Sequence, residues 1–187
     1  LAGYDKDMAK NRAEAKRLLQ WTGNAGMSFE LHNRGVDQPY KVLGVWLIDQ
    51  WKRIGLKVSH RVQPSGPFYD TLRKKYDFDV SIDFNCQSVI NPIADITKFL
   101  GSAGNNYGQY DDQVLEDIYN KIARSPDPAE QRRLIRQYET RALSDMAHIS
   151  ITLWWYKINP HRSYVKGWKI APSHYLNQHL DNVWLDR

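Results

Sequence analysis

The strongest constraint on this chain is the order of apolar patterns between residues 28 and 84, where strand signals alternate with helix signals. Ser28 to His32 reads as a short strand. A helix follows from Pro39, carrying Leu43, Leu47, Trp51 and Ile54 at steps of four, four and three, and Gly55 ends it. Leu56, Val58 and Val62 then alternate with polar residues as a second strand. Pro64-Ser65-Gly66-Pro67 breaks the chain, and Phe68 to Tyr76 reads as a short helix. Phe78, Val80, Ile82 and Phe84 alternate with Asp79, Ser81 and Asp83, which predicts a half-buried third strand. Strand, helix, strand, helix, strand is the pattern of an α/β fold with helical crossovers, and a mixed sheet flanked by helices is expected.

Outside that core, Asp5 or Asp7 caps a helix running to about Leu19. A short helix is predicted over 93–100, then a loop from Gly101 to Gly108. Asp111 or Asp112 opens a helix carrying Val114, Leu115, Ile118 and Ile122. Asp127-Pro128-Ala129-Glu130 combines a cap, a first-turn proline and an acid in the third position, which starts another helix reaching Met146. Ile149, Ile151, Leu153 and Trp155 face opposite Ser150, Thr152, Trp154 and Tyr156, the pattern of a long strand. From Ser163 to Arg187 the chain reads as short extended pieces.

Composition narrows the function classes. Hydrophobic residues are 42% and charged residues 25%, as in a folded globular chain. The charge of +5 arises from 26 basic and 21 acidic residues that are interspersed, and no nucleic-acid reader motif accompanies it, so nucleic acid is not an expected partner. One cysteine, Cys86, excludes an intrachain disulfide. The first residues lack the basic and apolar regions of a signal peptide, so an exported protein is expected to carry its targeting segment upstream, and the chain reads as a fragment.

Ligands of open α/β sheets collect beyond the carboxyl ends of strands. Asn85, Cys86, Gln87 and Ser88 leave the third strand and offer amides, a thiol and a hydroxyl, groups that orient a small polar solute; they equally suit a loop that caps its own backbone. Trp154 and Tyr156 are candidates for a cleft wall, with core as the alternative. Asp79 and Asp83 share a strand face and could act as acid and base, but strand aspartates often simply face water. None of the six histidines has a metal-ligand spacing, and Gly101–Gly108 lacks the Gly-Lys-Ser/Thr ending of a phosphate loop. No cofactor is expected, and an enzyme reading is the weakest.

Several stretches, in order, resemble the family 5 extracellular solute-binding proteins, the oligopeptide, dipeptide and nickel receptors of ABC importers. They are Asp5-Lys6-Asp7-Met8-Ala9-Lys10 through Leu19, Val45 through Val58 with its Arg53-Ile54-Gly55, and Tyr76-Asp77-Phe78-Asp79-Val80. Asn91-Pro92, Asn105-Asn106-Tyr107-Gly108-Gln109-Tyr110-Asp111, Asp127 through Arg132, and Tyr164-Val165-Lys166-Gly167-Trp168 continue the series. The resemblance implies a periplasmic-binding-protein-like C-terminal lobe over 1–162, with 163–187 crossing back to a first lobe that this chain lacks. It implies periplasmic or extracytoplasmic capture of a small solute (peptide, opine, sugar or similar) and delivery to the membrane permease subunits, or a sensor or docking role on the same fold. It also implies ligand contact by Phe68 and by Asn85, Cys86, Gln87 and Ser88; Asn91, Tyr107 and Trp154 complete the set of candidate ligand-binding residues. Where the peptide receptors carry an aspartate for the ligand's amino group this chain has Ser88, a departure that puts peptide binding in question.

Overall fold

The structure, a computed structural model, describes residues 5–85, 91–154, 156, 158–170 and 180–186. Its contacts separate into two compact units, Leu1–Phe84 with Gly104–Gln109, and Asn85–Ala103 with Tyr110–Arg187.

The first unit is the predicted α/β layering. Helix α1 (Met8–Trp21) is capped by Asp7, whose side chain accepts the Lys10 N–H at 3.0 Å. Strand β1 (Ser28–Arg34) pairs in parallel with β2 (Lys57–Gln63) over seven residues, from Ser28 opposite Lys57 to Arg34 opposite Gln63. On its other side β1 pairs in parallel with β3 (Val80–Ser81), giving the order β2-β1-β3. Side chains alternate across β1, so Leu31 and Asn33 face one layer while His32 and Arg34 face the other.

Helix α2 (Val42–Arg53) covers the first face. Leu43, Leu47, Ile48 and Trp51 pack with Leu31, Tyr40, Ile82 and Val58, realising the predicted stripe except at Ile54. Leu31 is fully buried, which contributes on the order of 1.5–3 kcal/mol. Gly44 is where the helix meets the sheet: an added Cβ would fall 2.5 Å from Asn33 Nδ2 and 2.7 Å from His60 Nε2, so no larger residue fits without displacing both. Gly55, at φ +96°, turns the chain from α2 into β2. Pro39 does not start α2; it lies in a wide turn, Asp37–Lys41, in which Gln38 is extended, and the helix begins at Val42.

Helix α3 (Ser65–Asp70) and the wide turn Thr71–Lys75 cover the second face with buried Phe68 and Leu72. The helix starts three residues earlier than the sequence suggests, because Pro67 in a first turn has no intrahelical N–H to lose. Tyr76, at φ +52°, ends the segment. The predicted strand over 78–84 shrinks to Val80–Ser81. Ahead of it the Asp79 carboxylate, rather than a backbone carbonyl, accepts the Glu30 N–H at 2.8 Å. That contact gives Asp79 a structural role at the sheet edge.

The second unit is built on helices. Asn91 caps α4 (Pro92–Ile96), its side chain accepting the Ile93 N–H at 2.9 Å, and Thr97–Phe99 adds one tighter turn. Helices α5 (Gln113–Arg124) and α6 (Pro128–Thr140), followed by a wide turn Arg141–Asp145, enclose a core of Leu100, Leu115, Ile122, Leu134, Tyr138 and Ala142. The Tyr138 hydroxyl donates to the Ile96 carbonyl at 2.8 Å, and burial raises its ionisation well above the usual phenol range. Strands β4 (Val165–Lys166) and β5 (Trp184–Leu185) pair antiparallel.

The long strand predicted over 149–156 is absent from both described sheets. Alternation says which side chains would share a face, but a strand also needs a neighbour about 4.8 Å away to complete a ladder. Instead the described residues run as surface coil, with Ile151, Leu153, Trp154 and Tyr156 all exposed.

Two aspartates cap helices in the second unit by the same chemistry in different surroundings. Asp127 accepts the Ala129 and Glu130 N–H groups in water. Asp112 accepts those of Val114 and Leu115 while buried, and the Arg141 guanidinium bonds both its oxygens at 2.9 and 3.2 Å. Arg141, above all, holds the Asp112 carboxyl below the usual carboxylate range. Asp127→Ala is expected to cost about 1 kcal/mol and Asp112→Ala about 2–4 kcal/mol by urea denaturation. Equal losses would mean that the Arg141 pair adds nothing to the cap.

Candidate functional site

The carboxyl end of β1 carries the most distinctive arrangement of polar chemistry in the first unit. Arg34 is the last residue of the strand. Its guanidinium carbon lies 4.1 Å from the centroid of Tyr40, 5.5 Å from that of Phe84 and 5.7 Å from that of Tyr69. Its Nη1 donates to the Tyr69 hydroxyl at 3.1 Å, and its Nε is buried without a hydrogen-bond partner. No carboxylate among the described residues pairs with it. Each ring contributes about 0.5–2 kcal/mol of cation–π attraction, and together they fix the plane of the guanidinium. A guanidinium so oriented offers paired N–H donors to a planar anion such as a carboxylate.

Tyr69 links this cation to a second. Arg73 lies 4.7 Å from the Tyr69 centroid and donates Nε and Nη2 to the Tyr107 hydroxyl, each at 3.2 Å. Burial first, then the nearby Asp83 carboxylate, pushes the Tyr69 phenol up to about 12, so it stays a neutral hydroxyl at physiological pH.

Beneath the cluster lies a buried polar layer. The His32 ring packs on Phe68 with centroids 4.7 Å apart, and Phe68 meets Tyr69 edge-on at 5.1 Å. His32 Nε2 is 2.7 Å from Gln63 Oε1, which also accepts from the Thr71 hydroxyl at 3.3 Å. Since an amide oxygen only accepts, the neutral ring carries its proton on Nε2. Across the sheet, Asn33 Nδ2 donates to the Tyr40 carbonyl at 2.7 Å and to His60 Nε2 at 3.1 Å, placing the His60 proton on Nδ1. Burial lowers the pKa of both imidazoles.

The residues expected to bind ligand divide between the units. Phe68 and Tyr107 belong to the Arg34–Arg73 cluster, but Phe68 is only 1% exposed and serves as its floor rather than its surface. Asn85, Asn91 and Trp154 fall in the second unit. Asn85 Nδ2 donates to Asp95 Oδ1 at 3.4 Å, the Asn91 side chain is taken up as a helix cap, and Trp154 is 84% exposed. Cys86, Gln87 and Ser88 lie outside the described residues. Arg34, Tyr40, Tyr69, Arg73 and Phe84 were not anticipated. The available signal was an arginine at the last position of a buried strand, just before Gly35, where an α/β sheet presents its ligand edge.

At the other end of the sheet, Ser28, Phe29, Lys52, Lys57 and Asp79 line a shallow hollow at the amino ends of β1 and β2. Its charges are mixed and it opens widely to solvent. Among the described residues no group of three or more His, Cys, Asp or Glu side chains is placed to hold a metal ion, and no helix is long and apolar enough to cross a membrane.

No protein-family profile and no curated protein matches the chain. Solved structures do. DppA of Helicobacter pylori, an ABC transporter-associated periplasmic binding protein in complex with the peptide STSA, superposes with a TM-score of 0.80 at 21% identity. The match covers 98% of this chain and 35% of DppA. OppA of Haemophilus influenzae, in complex with RPPGFSPFR, matches at a TM-score of 0.66 and 17% identity over 74% of this chain and 28% of its own. A peptide-binding protein of a peptide ABC transporter matches at 0.66 and 17%, over 78% of this chain and 65% of its own. The chain has the periplasmic-binding-protein-like α/β fold. It spans about a third of DppA and less than two thirds of each of these proteins.

The two buried imidazoles make the first unit sensitive to mild acid. Both pKa values are lowered in the folded state, so as pH falls below about 6.5 the unfolded chain binds protons that the native state does not. The stability they permit is full above about pH 6.5 and is lost below it. The urea midpoint should therefore fall between pH 7.5 and pH 5, and the fall should shrink in a His32→Gln, His60→Gln double variant. A midpoint flat over this interval in the unsubstituted chain would show that the imidazoles charge freely when folded.

Proposed function

We propose that this chain is the C-terminal lobe of the extracytoplasmic solute-binding component of an ABC importer, and that it holds its solute by an anionic group docked on Arg34. The observation carrying this reading is the Arg34 guanidinium, framed by Tyr40, Tyr69 and Phe84 at the carboxyl edge of the sheet without a carboxylate partner among the described residues. A cation held in one orientation before the ligand arrives loses little freedom on binding, which favours affinity. The likeness to peptide-binding proteins of ABC transporters supports the same role, as does the order of sequence stretches that resemble the family 5 receptors.

In this reading Tyr107, which holds Arg73 through its hydroxyl, adds an uncharged group beside the cations for the rest of the solute. A first lobe closes over it, and the 163–187 segment crosses back to that lobe. Differential contacts between open and closed forms then set affinity, and the closed form delivers the solute to the membrane permease subunits. The solute is peptide-like or another small anion-bearing molecule. Ser88 weakens the case for a free amino terminus, because a hydroxyl gives up a charge-assisted bond worth about 1.5–3 kcal/mol.

The test is a thermal-shift screen of the full-length gene product, freed of endogenous ligand, against peptides, sugars, opines, metal chelates and aromatic acids. A carboxylate-bearing class should raise the midpoint, reflecting about 2.7 kcal/mol at a hundredfold excess over Kd, and Arg34→Gln should abolish the shift. No shift with any class, or an undiminished shift in the variant, would contradict the proposal.

A further inference from the structure

The Arg34 site contains a second guanidinium that a single carboxylate does not require. Arg34 and Arg73 approach the same ring, at 5.7 and 4.7 Å from the Tyr69 centroid, so their guanidinium carbons lie no farther apart than those two distances laid end to end. Placing two cations on one aromatic side chain is electrostatically unfavourable unless negative charge joins them. Neither Arg34 nor Arg73 forms an ion pair with a carboxylate among the described residues. Lys75 adds another cation in the same turn, while Lys74 is paired with Asp70 at 2.8 Å.

The two guanidiniums differ in a way that suits a division of labour. Arg34 is half-buried and caged. Arg73 is exposed, anchored along one edge by the Tyr107 hydroxyl, and keeps Nη1 for another acceptor. Both cations thus belong to the surroundings of Tyr69, whose hydroxyl is already engaged by Arg34.

Building on the solute-binding reading above, we propose that Arg73 is a second anion contact at the Arg34 site, and that the site selects solutes carrying two carboxylates at one end. A peptide-like molecule ending in an acidic residue, or an opine built on a dicarboxylic amino acid, has this chemistry. One carboxylate takes the caged Arg34 and the other takes Arg73. The competing role for Arg73 is a strut that only steadies Tyr107 and the 104–109 segment.

The N-acetylated dipeptides of sequence Ala-Glu and Ala-Gln, which carry no free amino terminus, separate these roles, since they match in shape and differ by one negative charge at the same end. Binding of each to the full-length gene product is measured by calorimetry at low ionic strength, for the unsubstituted protein and for Arg73→Gln, Arg73→Lys and Arg34→Gln. The unsubstituted protein should bind Ala-Glu about tenfold or more tightly than Ala-Gln. Arg73→Gln, which can still donate to Tyr107, should erase that preference with little effect on Ala-Gln, and Arg73→Lys should restore part of it. Binding of neither dipeptide, equal binding of both by the unsubstituted protein, or equal weakening of both in Arg73→Gln would overturn the proposal. If Arg34→Gln abolishes binding while Arg73→Gln leaves the preference intact, only the second contact falls and the solute-binding reading stands. If Arg34→Gln leaves all binding intact, the reading itself falls.

Discussion

The parallel ladder between β1 and β2 is the constraint on which the first unit depends. Seven residues of β1 are locked in register against β2, and β3 holds its other edge, so the backbone of Leu31, His32 and Asn33 has no freedom to slip. A shift of one residue would exchange Leu31 and Asn33 with His32 and Arg34 across the sheet. Leu31 would leave the apolar cluster beneath α2, and Arg34 would be driven away from Tyr69. The register that satisfies the core is thus the register that delivers a guanidinium to the ligand edge.

The polar layers show how the fold accommodates that delivery. His32, Gln63 and Thr71 satisfy one another on the α3 side, while Asn33, His60 and the Tyr40 carbonyl do so on the α2 side. Neither network contains a buried charge. Arg34 enters at the rim, where aromatic rings face it. There Tyr40, Tyr69 and Phe84 replace part of the hydration shell of Arg34 without neutralising it, which leaves the cation attractive to an incoming anion.

Much of the architecture was legible in the sequence because local signals agreed with the tertiary outcome. The stripe of α2, the cap at Asp127, the caps narrowed to Asp5 or Asp7 and to Asp111 or Asp112, and the alternation in β2 each report a local periodicity or a local hydrogen bond. The failures share a different cause. Residues 149–154 alternate correctly but belong to neither described sheet, and pairing is not encoded within a segment. The 78–84 strand was shortened by one side chain, Asp79, that took a ladder partner for itself. The candidate site was less legible still. Of the residues singled out in the sequence, Tyr107 lies beside Arg73 and Phe68 lies buried beneath Tyr69. Arg34 and Arg73 are 39 positions apart and meet only through Tyr69, a relation that no spacing rule exposes. Their positive charge was read as part of an interspersed, solvated distribution, since composition does not distinguish a caged cation from a hydrated one.

The central claim is that Arg34 waits, oriented, for an anion. A crystal structure of the full-length gene product with its bound solute tests it most directly. The account predicts an anionic oxygen pair within about 3 Å of the Arg34 guanidinium nitrogens, with the Tyr40, Tyr69 and Phe84 rings still around the cation. A solute bound elsewhere, with Arg34 making only the contacts described here, would contradict it.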